Sequence, residues 1–485
     1  MRVAIVHYHL QRGGVTRVIA NALSALQPAP GEAVVLSSTP SKEPLPCPVA
    51  LVPELAYRNE ATPDAGKELA AALMEAARAK LDARPDVWHF HNHSLGKNVA
   101  MPEAVQHLVA DGARVVLQIH DFAEDGRPAN YERQRHACET ESFPGSFHDK
   151  LYPSGKGIRY AVLNKRDGAV LRSAGLPEAR LVHLPNPVSL PPEAAEADED
   201  PGVCGQRPLI LYPTRAIRRK NIGELLLLAR VYPEFRFATT LSPQNPEWLP
   251  VYKEWTRLAS ALKLDVGFAL GESTASTFPQ LVRSARAMVT TSVGEGFGLA
   301  FLEPWLFGKP VCGRDLPDIT ADFAANGLRM PACYKEWRVS VSAFDLPALR
   351  RRFIDSLRAL HTAYDRPLAP DHAEAAFARI TAGGSVDFAQ LDETAQGEVL
   401  RQPLPSVFPD PLPRRPFTPE SLEAPVLDTN RRHIEDAYGL PAYRQRLRRL
   451  YHDLLHESPE PGPALDPEAL LDAFLAPENL RLLRT

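Results

Sequence analysis

A chain of 485 residues is too long for one hydrophobic core and predicts two or three domains. With 44% hydrophobic residues, 24% charged residues and a formal net charge of −4, it reads as a soluble globular protein without a global field favouring nucleic acid or anionic membrane. Five scattered cysteines with no CxxC spacing point to a reducing, cytoplasmic setting and argue against structural zinc.

Met1-Arg-Val-Ala-Ile-Val-His7 begins directly as a strand, with no charged n-region or cleavage site, and no apolar run reaches the roughly 18 residues of a transmembrane span. Up to about Pro187, strands expected at Val3–His7, Ala33–Ser37, Asp86–Phe90, Arg114–Ile119 and Arg159–Leu163 alternate with helices. The helices fall at Thr16–Leu26, Ala65–Leu81, Lys97–Val109 and Lys165–Ser173, the last capped by Asn164. Such alternation predicts a parallel sheet with both faces covered. Leu184-Pro-Asn-Pro-Val188 and the acidic, proline-bearing residues 190–201 end it, giving a domain at 1–188 and a linker at 189–207.

A second alternation fills residues 208–400. Its strands are expected at Leu209–Tyr212, Phe235–Thr239, Asp265–Phe268, Arg286–Thr291 and Lys309–Cys312. Its helices are expected at Ile222–Val231, Glu247–Leu262, Thr277–Ser284, Leu299–Phe307 and Leu346–Ala363. The fold class is therefore α/β, two Rossmann-like doubly wound domains with a cleft at the carboxyl ends of their strands. Beyond Asp365 the text turns proline-rich and irregular, and residues 403–419 are expected to be extended. Residues 401–485 form a C-terminal extension with helices at Arg431–Leu455 and Pro467–Leu475. The arginines at 444, 446, 448 and 449 read as a solvated helix face.

The most informative stretch is Ser292-Val-Gly-Glu295-Gly-Phe-Gly-Leu-Ala-Phe-Leu-Glu303, a glycine turn between a buried strand and a helix. Gly294, Gly296 and Gly298 would let backbone N–H groups approach a phosphate at a helix N-terminus. The turn alone is equally compatible with an ordinary strand–turn–helix, but two carboxylates frame it. Gly13 and Gly14, before the first helix, are either a second phosphate contact or a tight turn. Arg215 and Lys220 lie in a loop entering a helix, where cations converge on phosphate oxygens or are merely solvated; Arg218 and Arg219 read as exposed.

His89, His91 and His93 would share one strand face if the strand ran that far, yet they lack the carboxylate or cysteine that supports a zinc site. A strand end beside an acceptor, with His91, Asn92 and Lys97, is the preferred reading, and no metal is expected. His120-Asp121 ends the next strand. Its neighbours point to opposite faces, so an internal catalytic dyad is not expected. The polar loop after it, including Arg127, is a place for acceptor contacts.

Glu295 and Glu303, with seven residues between them and Gly-Phe-Gly-Leu inside, resemble the signature of family 4 of the retaining glycosyltransferases, which share the GT-B fold. Arg215 with Lys220 and the position of His120 are similar to that family as well, although Asn221 stands where the family carries glycine. The resemblance implies a metal-independent enzyme, without a cofactor, that moves a hexose from a nucleotide diphosphate sugar to a hydroxyl acceptor; the lack of a membrane-binding segment points to a soluble one, a small sugar, polyol or sugar acid. By the same likeness Gly13, Gly14, Arg215 and Lys220 would face the diphosphate and Glu303 the ribose. Glu295, Gly296, Phe297, Gly298 and Leu299 would lie along the donor, and His120 beside its sugar. His120, Glu295, Arg215 and Lys220 are the catalytic candidates; His91, Asn92, Lys97 and Arg127 are those for the acceptor. A nucleotide-sugar epimerase and a non-catalytic nucleotide-sugar-binding protein are the alternatives, and a homodimer is compatible with either. No G-x-G-x-x-G follows the first strand, which disfavours a nicotinamide dehydrogenase.

Overall fold

The computed structural model describes residues 1–11, 13–60, 62–139, 146–190, 198, 205–273, 276–408 and 424–484. They divide into two units. The first comprises Met1–Val188, Ala363–Arg366 and Glu435–Ala476; the second comprises Ser189–Thr362, Pro367–Ile434 and Pro477–Thr485.

In the first unit, β1 (Val3–Val6), β2 (Ala33–Ser37), β3 (Val49–Leu51), β4 (Val87–His91), β5 (Val115–Ile119), β6 (Ile158–Val162) and β7 (Leu181–His183) make one sheet. Its order is β3-β2-β1-β4-β5-β6-β7, and every pair is parallel. All residues of β1, β2, β4 and β5 are buried, which is why they are largely apolar on both faces; the polar His89, His91 and Gln118 of β4 and β5 are buried with the rest. The edge strands β3 and β7 escaped prediction because three residues are too few to show a period.

The helix Gly14–Leu26 buries Val18, Ile19, Ala22 and Leu23. Against the same core the late helix Leu440–His456 sets Tyr443, Leu447, Leu450, Tyr451 and Leu454, one stripe at helical spacing. Burying each of these leucines contributes roughly 1.5–3 kcal/mol. The expected single helix over Arg431–Leu455 is two, Ala424–Tyr438 and Leu440–His456, interrupted at Gly439 with Pro441 opening the second. Its arginines are not one solvated face. Arg444 donates to the Ala25 carbonyl and Arg448 to that of Leu26 (3.4 Å), satisfying the last turn of Gly14–Leu26, while Arg446 donates to Ala437 O (2.6 Å). Arg448 keeps an exposed side chain, and Arg449 is 83% exposed.

In the second unit, β8 (Leu209–Arg215), β9 (Arg236–Leu241), β10 (Val266–Gly267), β11 (Ala285–Thr290), β12 (Val311–Arg314) and β13 (Ala332–Tyr334) form a parallel sheet in the order β10-β9-β8-β11-β12-β13. A two-stranded antiparallel ribbon, β14 (Arg338–Ser340) with β15 (Ser385–Asp387), stands apart. The stretch after Asp365 is not irregular. It contains helices Pro370–Ile380 and Glu393–Arg401, and Phe377, Val386, Phe388, Val399 and Leu400 join the core beneath Leu225 and Phe237. Arg314 of β12 is buried between Glu224 and Asp387, 2.8 Å from each, and the Tyr334 hydroxyl donates to Glu224 at 2.7 Å. That polar knot ties sheet, helix and ribbon together.

Of the segment expected to be extended, Leu404–Val407 makes one helical turn, and 409–419 lies outside the described residues. So do 191–197 and 199–204 of the expected linker. Among the described residues no helix is long and apolar enough to cross a membrane.

Candidate active site

Each parallel sheet reverses its strand order once, between β1 and β4 in the first unit and between β8 and β11 in the second. Connections leave such a reversal towards opposite faces, so the loops at the carboxyl ends part there and make room for a ligand. The residues singled out from the sequence lie at the carboxyl ends of β1, β4, β5, β8 and β11, or on the segments that follow them.

In the second unit the loops after β8 and β11 are fastened together. The Thr291 hydroxyl bonds to the carbonyls of Lys220 (2.9 Å) and Asn221 (3.0 Å). The Ser292 hydroxyl bonds to those of Arg219 (3.2 Å) and Gly294 (3.0 Å), and Val293 N donates to Arg219 O at 2.9 Å. On this frame the Lys220 ammonium is ion-paired with Glu295. Arg219 reaches the same carboxylate at 3.1 Å and the Gly294 carbonyl at 2.7 Å. Burial would raise the Glu295 carboxyl, but Lys220, Arg219 and the Ser292 hydroxyl outweigh it and hold it at about 2. Burial lowers Lys220, assisted by repulsion from Arg219 and opposed by Glu295. Two cations thus face one carboxylate, leaving a surplus positive charge.

The substitution of asparagine for glycine at 221 has a backbone explanation. Asn221 lies in the left-handed region (φ 52°, ψ 57°), which asparagine tolerates better than most side chains. Its amide also donates to Glu224 at 2.6 Å and accepts from Gln396 at 2.8 Å. Arg218 and Arg219, expected to be exposed, are engaged. Arg218 pairs with Glu393 and donates to Leu482 O at 3.0 Å, fixing the loop to the 477–484 segment. Arg215 donates to Ser242 O at 3.0 Å.

The glycine turn also differs from expectation. Gly298 has φ 92°, and a Cβ there would stand 2.8 Å from Ile319, so the helix Pro317–Ala325 accounts for this glycine. Phe297 is buried edge-on against Phe323, and Gly294 lies under the Arg484 side chain. The expected helix Leu299–Phe307 is instead a 3-10 turn, Leu299–Phe301, and a single α-turn, Glu303–Leu306. Pro304 cannot donate to the carbonyl four residues back, so the helix breaks before it and Glu303, half-buried, opens the second turn. Leu299 is half-buried at the start of the first.

In the first unit Gly13 is extended and Gly14 opens its helix without a side-chain cap or an acidic first-turn residue; a Cβ on Gly14 would meet nothing within 4 Å. β4 stops at His91 because Asn92 turns left-handed (φ 58°). The three histidines therefore do not share a face: His89 and His91 stack at 4.6 Å, whereas His93 turns to the Leu151 carbonyl at 2.7 Å. Asn92 Oδ1 accepts from the backbone N–H of His120 (2.7 Å) and of Asp121 (3.2 Å), joining the ends of β4 and β5. His91 Nδ1 lies 2.9 Å from His120 Nε2. Burial holds His120 down at about 3, and His91 well below its ordinary value with neighbouring imidazoles adding to the effect. Asp121 binds Arg127 at 2.9 Å, so the His-Asp dipeptide serves two separate partners.

Lys97 is not in a helix, which begins only at Met101. It is half-buried, with its ammonium 5.2 Å from the centre of the Tyr57 ring. Burial lowers its pKa, as do Arg127 and Arg133 nearby. The polar loop after His120 is shorter than expected, because Pro128–Glu139 is helical. Sequence reasoning missed three of its features: Arg133, the Tyr364 hydroxyl that accepts from Arg127 N (2.9 Å), and buried Glu124, pushed up to about 7 by burial.

No protein-family model matches the chain. It is 28% identical over 381 residues to the mannosylglucosyl-3-phosphoglycerate synthase of Petrotoga mobilis, covering 73% of this chain and 72% of that one. Among solved structures, sucrose-phosphate synthase from Thermosynechococcus elongatus matches with a TM-score of 0.53 at 14% identity, over 94% of this chain and 100% of the other. The Anabaena protein HepE, in complex with UDP and glucose, also reaches 0.53, at 12% identity over 93% and 100%. The chain has the GT-B fold. The structural likeness carries the fold alone; with the Petrotoga relative it supports a GT-B glycosyltransferase. The GT-B architecture accounts for two Rossmann-like sheets in one chain, each with its own reversal point.

Proposed function

We propose that this protein is a retaining glycosyltransferase that moves a hexose from a nucleotide diphosphate sugar to a hydroxyl of an anionic sugar acceptor. The observation that carries the reading is the surplus positive charge of Lys220 and Arg219 around Glu295, held by fastened loops at the reversal point of the second sheet. A diphosphate entering there meets Lys220 already desolvated and positioned, which is where charge stabilisation is most effective, with the more exposed Arg219 beside it. As the bond from the anomeric carbon to the leaving phosphate breaks, the acceptor oxygen bonds to that carbon on the same face and its proton passes to the leaving phosphate. Lys220 and Arg215 then carry the new charge without a metal ion. Glu295 and Glu303 orient sugar and ribose hydroxyls, and His120 addresses the sugar.

For the acceptor, the Petrotoga relative's name gives a product bearing phosphoglycerate, which is anionic. In this chain Lys97, Arg127 and Arg133 gather with Asp121 as Arg127's counter-ion, a suitable seat for phosphate or carboxylate. An acceptor of the glycosyl-phosphoglycerate class fits that charge. Reaction in a reducing cytoplasm is consistent with the free cysteines. The test is to incubate the protein with UDP-, GDP- and ADP-sugars, with and without glucosyl-3-phosphoglycerate, in EDTA. Acceptor-dependent release of nucleoside diphosphate, with the anomeric configuration of the donor kept in the product, is the expected result. Conversion of the donor alone would indicate an epimerase, and binding without turnover a non-catalytic protein.

A further inference from the structure

The contact between His91 and His120 has consequences for the chemistry of the first unit. Both rings are neutral at ordinary pH, because burial depresses both. Two neutral imidazoles carry two protons on four nitrogens. The 2.9 Å approach of His91 Nδ1 to His120 Nε2 requires one proton between them. That leaves two arrangements. If His91 Nδ1 holds the proton, His91 Nε2 is a bare lone pair and His120 must carry its own proton on Nδ1. If His120 Nε2 holds it, His91 Nε2 becomes an N–H and His120 Nδ1 is bare.

The outer nitrogens decide between them. His91 Nε2 is shielded from solvent and has no hydrogen-bond partner, so the second arrangement would bury an N–H donor with no acceptor; a bare, shielded imidazole nitrogen is what the same cluster already carries at His93 Nδ1, whose ring gives its proton to the Leu151 carbonyl through Nε2. His120 Nδ1 is not among the shielded atoms and bonds to no described residue, so it is reached by solvent, while Asn92 anchors the His120 backbone. The neighbouring ring is fixed in the same manner: His89 Nε2 donates to Gln118 Oε1 at 2.9 Å, and its Nδ1 accepts from the Tyr451 hydroxyl at 2.7 Å.

We propose that His91 is a positioning residue that sets the tautomer of His120, so that the solvent-facing Nδ1–H of His120 donates a hydrogen bond to a substrate oxygen. The role in turnover rests on the transferase reading above; the tautomer does not. His91 itself is buried and acts through His120. A wrong tautomer in an otherwise intact site disables an imidazole that must present a proton on one side.

The experiment is nitrogen NMR of protein labelled at histidine, with kinetics of three variants. In the wild type His120 should appear with Nδ1 protonated and Nε2 bare, and His91 with Nδ1 protonated. Finding His120 protonated at Nε2 overturns the proposal whether or not any transfer activity is detected. His91→Phe removes the donor. It should release His120 into the Nε2–H form and lower kcat about 10- to 100-fold, the usual range for loss of a residue that orients a site group, with little change in donor KM. His91→Asn can place an amide N–H near the Nδ1 position and should restore the Nδ1–H form of His120 and most of the lost kcat. His91→Gln reaches the Nε2 position instead and should not. Equal kcat in the Phe and Asn variants, both folded by circular dichroism, would rule out positioning. If the wild type transfers nothing from any donor, the transferase reading fails while the spectra still judge the tautomer.

Discussion

At the reversal of the first sheet, His7, His89, His91, His93 and His120 are packed as neutral rings, with imidazole beside imidazole and little charge among them. At the reversal of the second, shielded Lys220 and Glu295, with Arg219 at their solvent edge, form an ionic cluster on a frame of hydroxyl-to-carbonyl bonds. The same doubly wound topology therefore carries two opposite electrostatic solutions. Where a leaving diphosphate has to be stabilised, desolvated cations serve best; where uncharged hydroxyls have to be oriented, neutral groups of fixed tautomer avoid trapping the product.

The contrast can be broken most severely at Lys220. Lys220→Ala leaves Glu295 shielded with one of its two cations, and should lower kcat by about 100- to 1,000-fold, as loss of one charge-stabilising donor does. Steady-state kinetics should show the loss in kcat rather than in acceptor KM. Adding Glu295→Ala should recover folding stability, read from urea midpoints, but not turnover.

Acid should separate the two regions. His7, His89 and His93 fall from 6.5 to about 4 on folding, each worth about 3 kcal/mol at the limit. Between pH 6.5 and 4 the unfolded chain binds protons that these folded rings refuse, so stability drops as pH falls through that window. Glu124 and Asp167, raised to about 7, act in the other direction but are outnumbered. Glu295, held at about 2, contributes stability above its unfolded value of 4.5, lost only as pH falls from there towards 2. Hydrogen exchange corrected for intrinsic rate should show the first sheet losing protection by pH 5 while β8 and β11 keep theirs. Glu124→Gln, which removes an opposing contribution, should make the decline steeper.

Smaller effects test the frame. Gly298→Ala imposes a left-handed φ and a Cβ 2.8 Å from Ile319, and should cost about 2 kcal/mol in chemical denaturation. Arg444→Ala, which strips a donor from the end of Gly14–Leu26, should cost about 1 kcal/mol, whereas Arg449→Ala at an exposed position should stay within about 0.5 kcal/mol.

Much of this frame was legible because it is local. Buried parallel strands announce themselves as apolar runs, and Ala65–Leu81, Ile222–Val231 and Leu346–Ala363 carried a helical period from end to end. The candidate site was legible as a set of positions but not as a set of partners. Nothing in Arg218-Arg219-Lys220 says that one cation turns to Glu393 and the other two to Glu295, since both carboxylates are distant in sequence. Likewise His91 and His120 meet only because β4 and β5 pair with Phe90 opposite Leu117 and His91 opposite Gln118. The steric demand on Gly298 was hidden for the same reason, its neighbour Ile319 belonging to a helix some twenty residues on. Residues 365–400 were misread because their short helices, Pro370–Ile380 and Glu393–Arg401, take their stability from the core they join rather than from a long local period.

The helix Leu440–His456, whose tyrosines and leucines complete the core beneath β1 and β2, emerges from the ribosome after all of both parallel sheets. The first unit to be started is thus among the last to be finished, and the nascent chain must carry an uncovered apolar face through most of its own synthesis. A gene cut at the boundary after Val188 would yield an amino-terminal fragment that exposes that face and aggregates, unless residues 435–476 are supplied in trans.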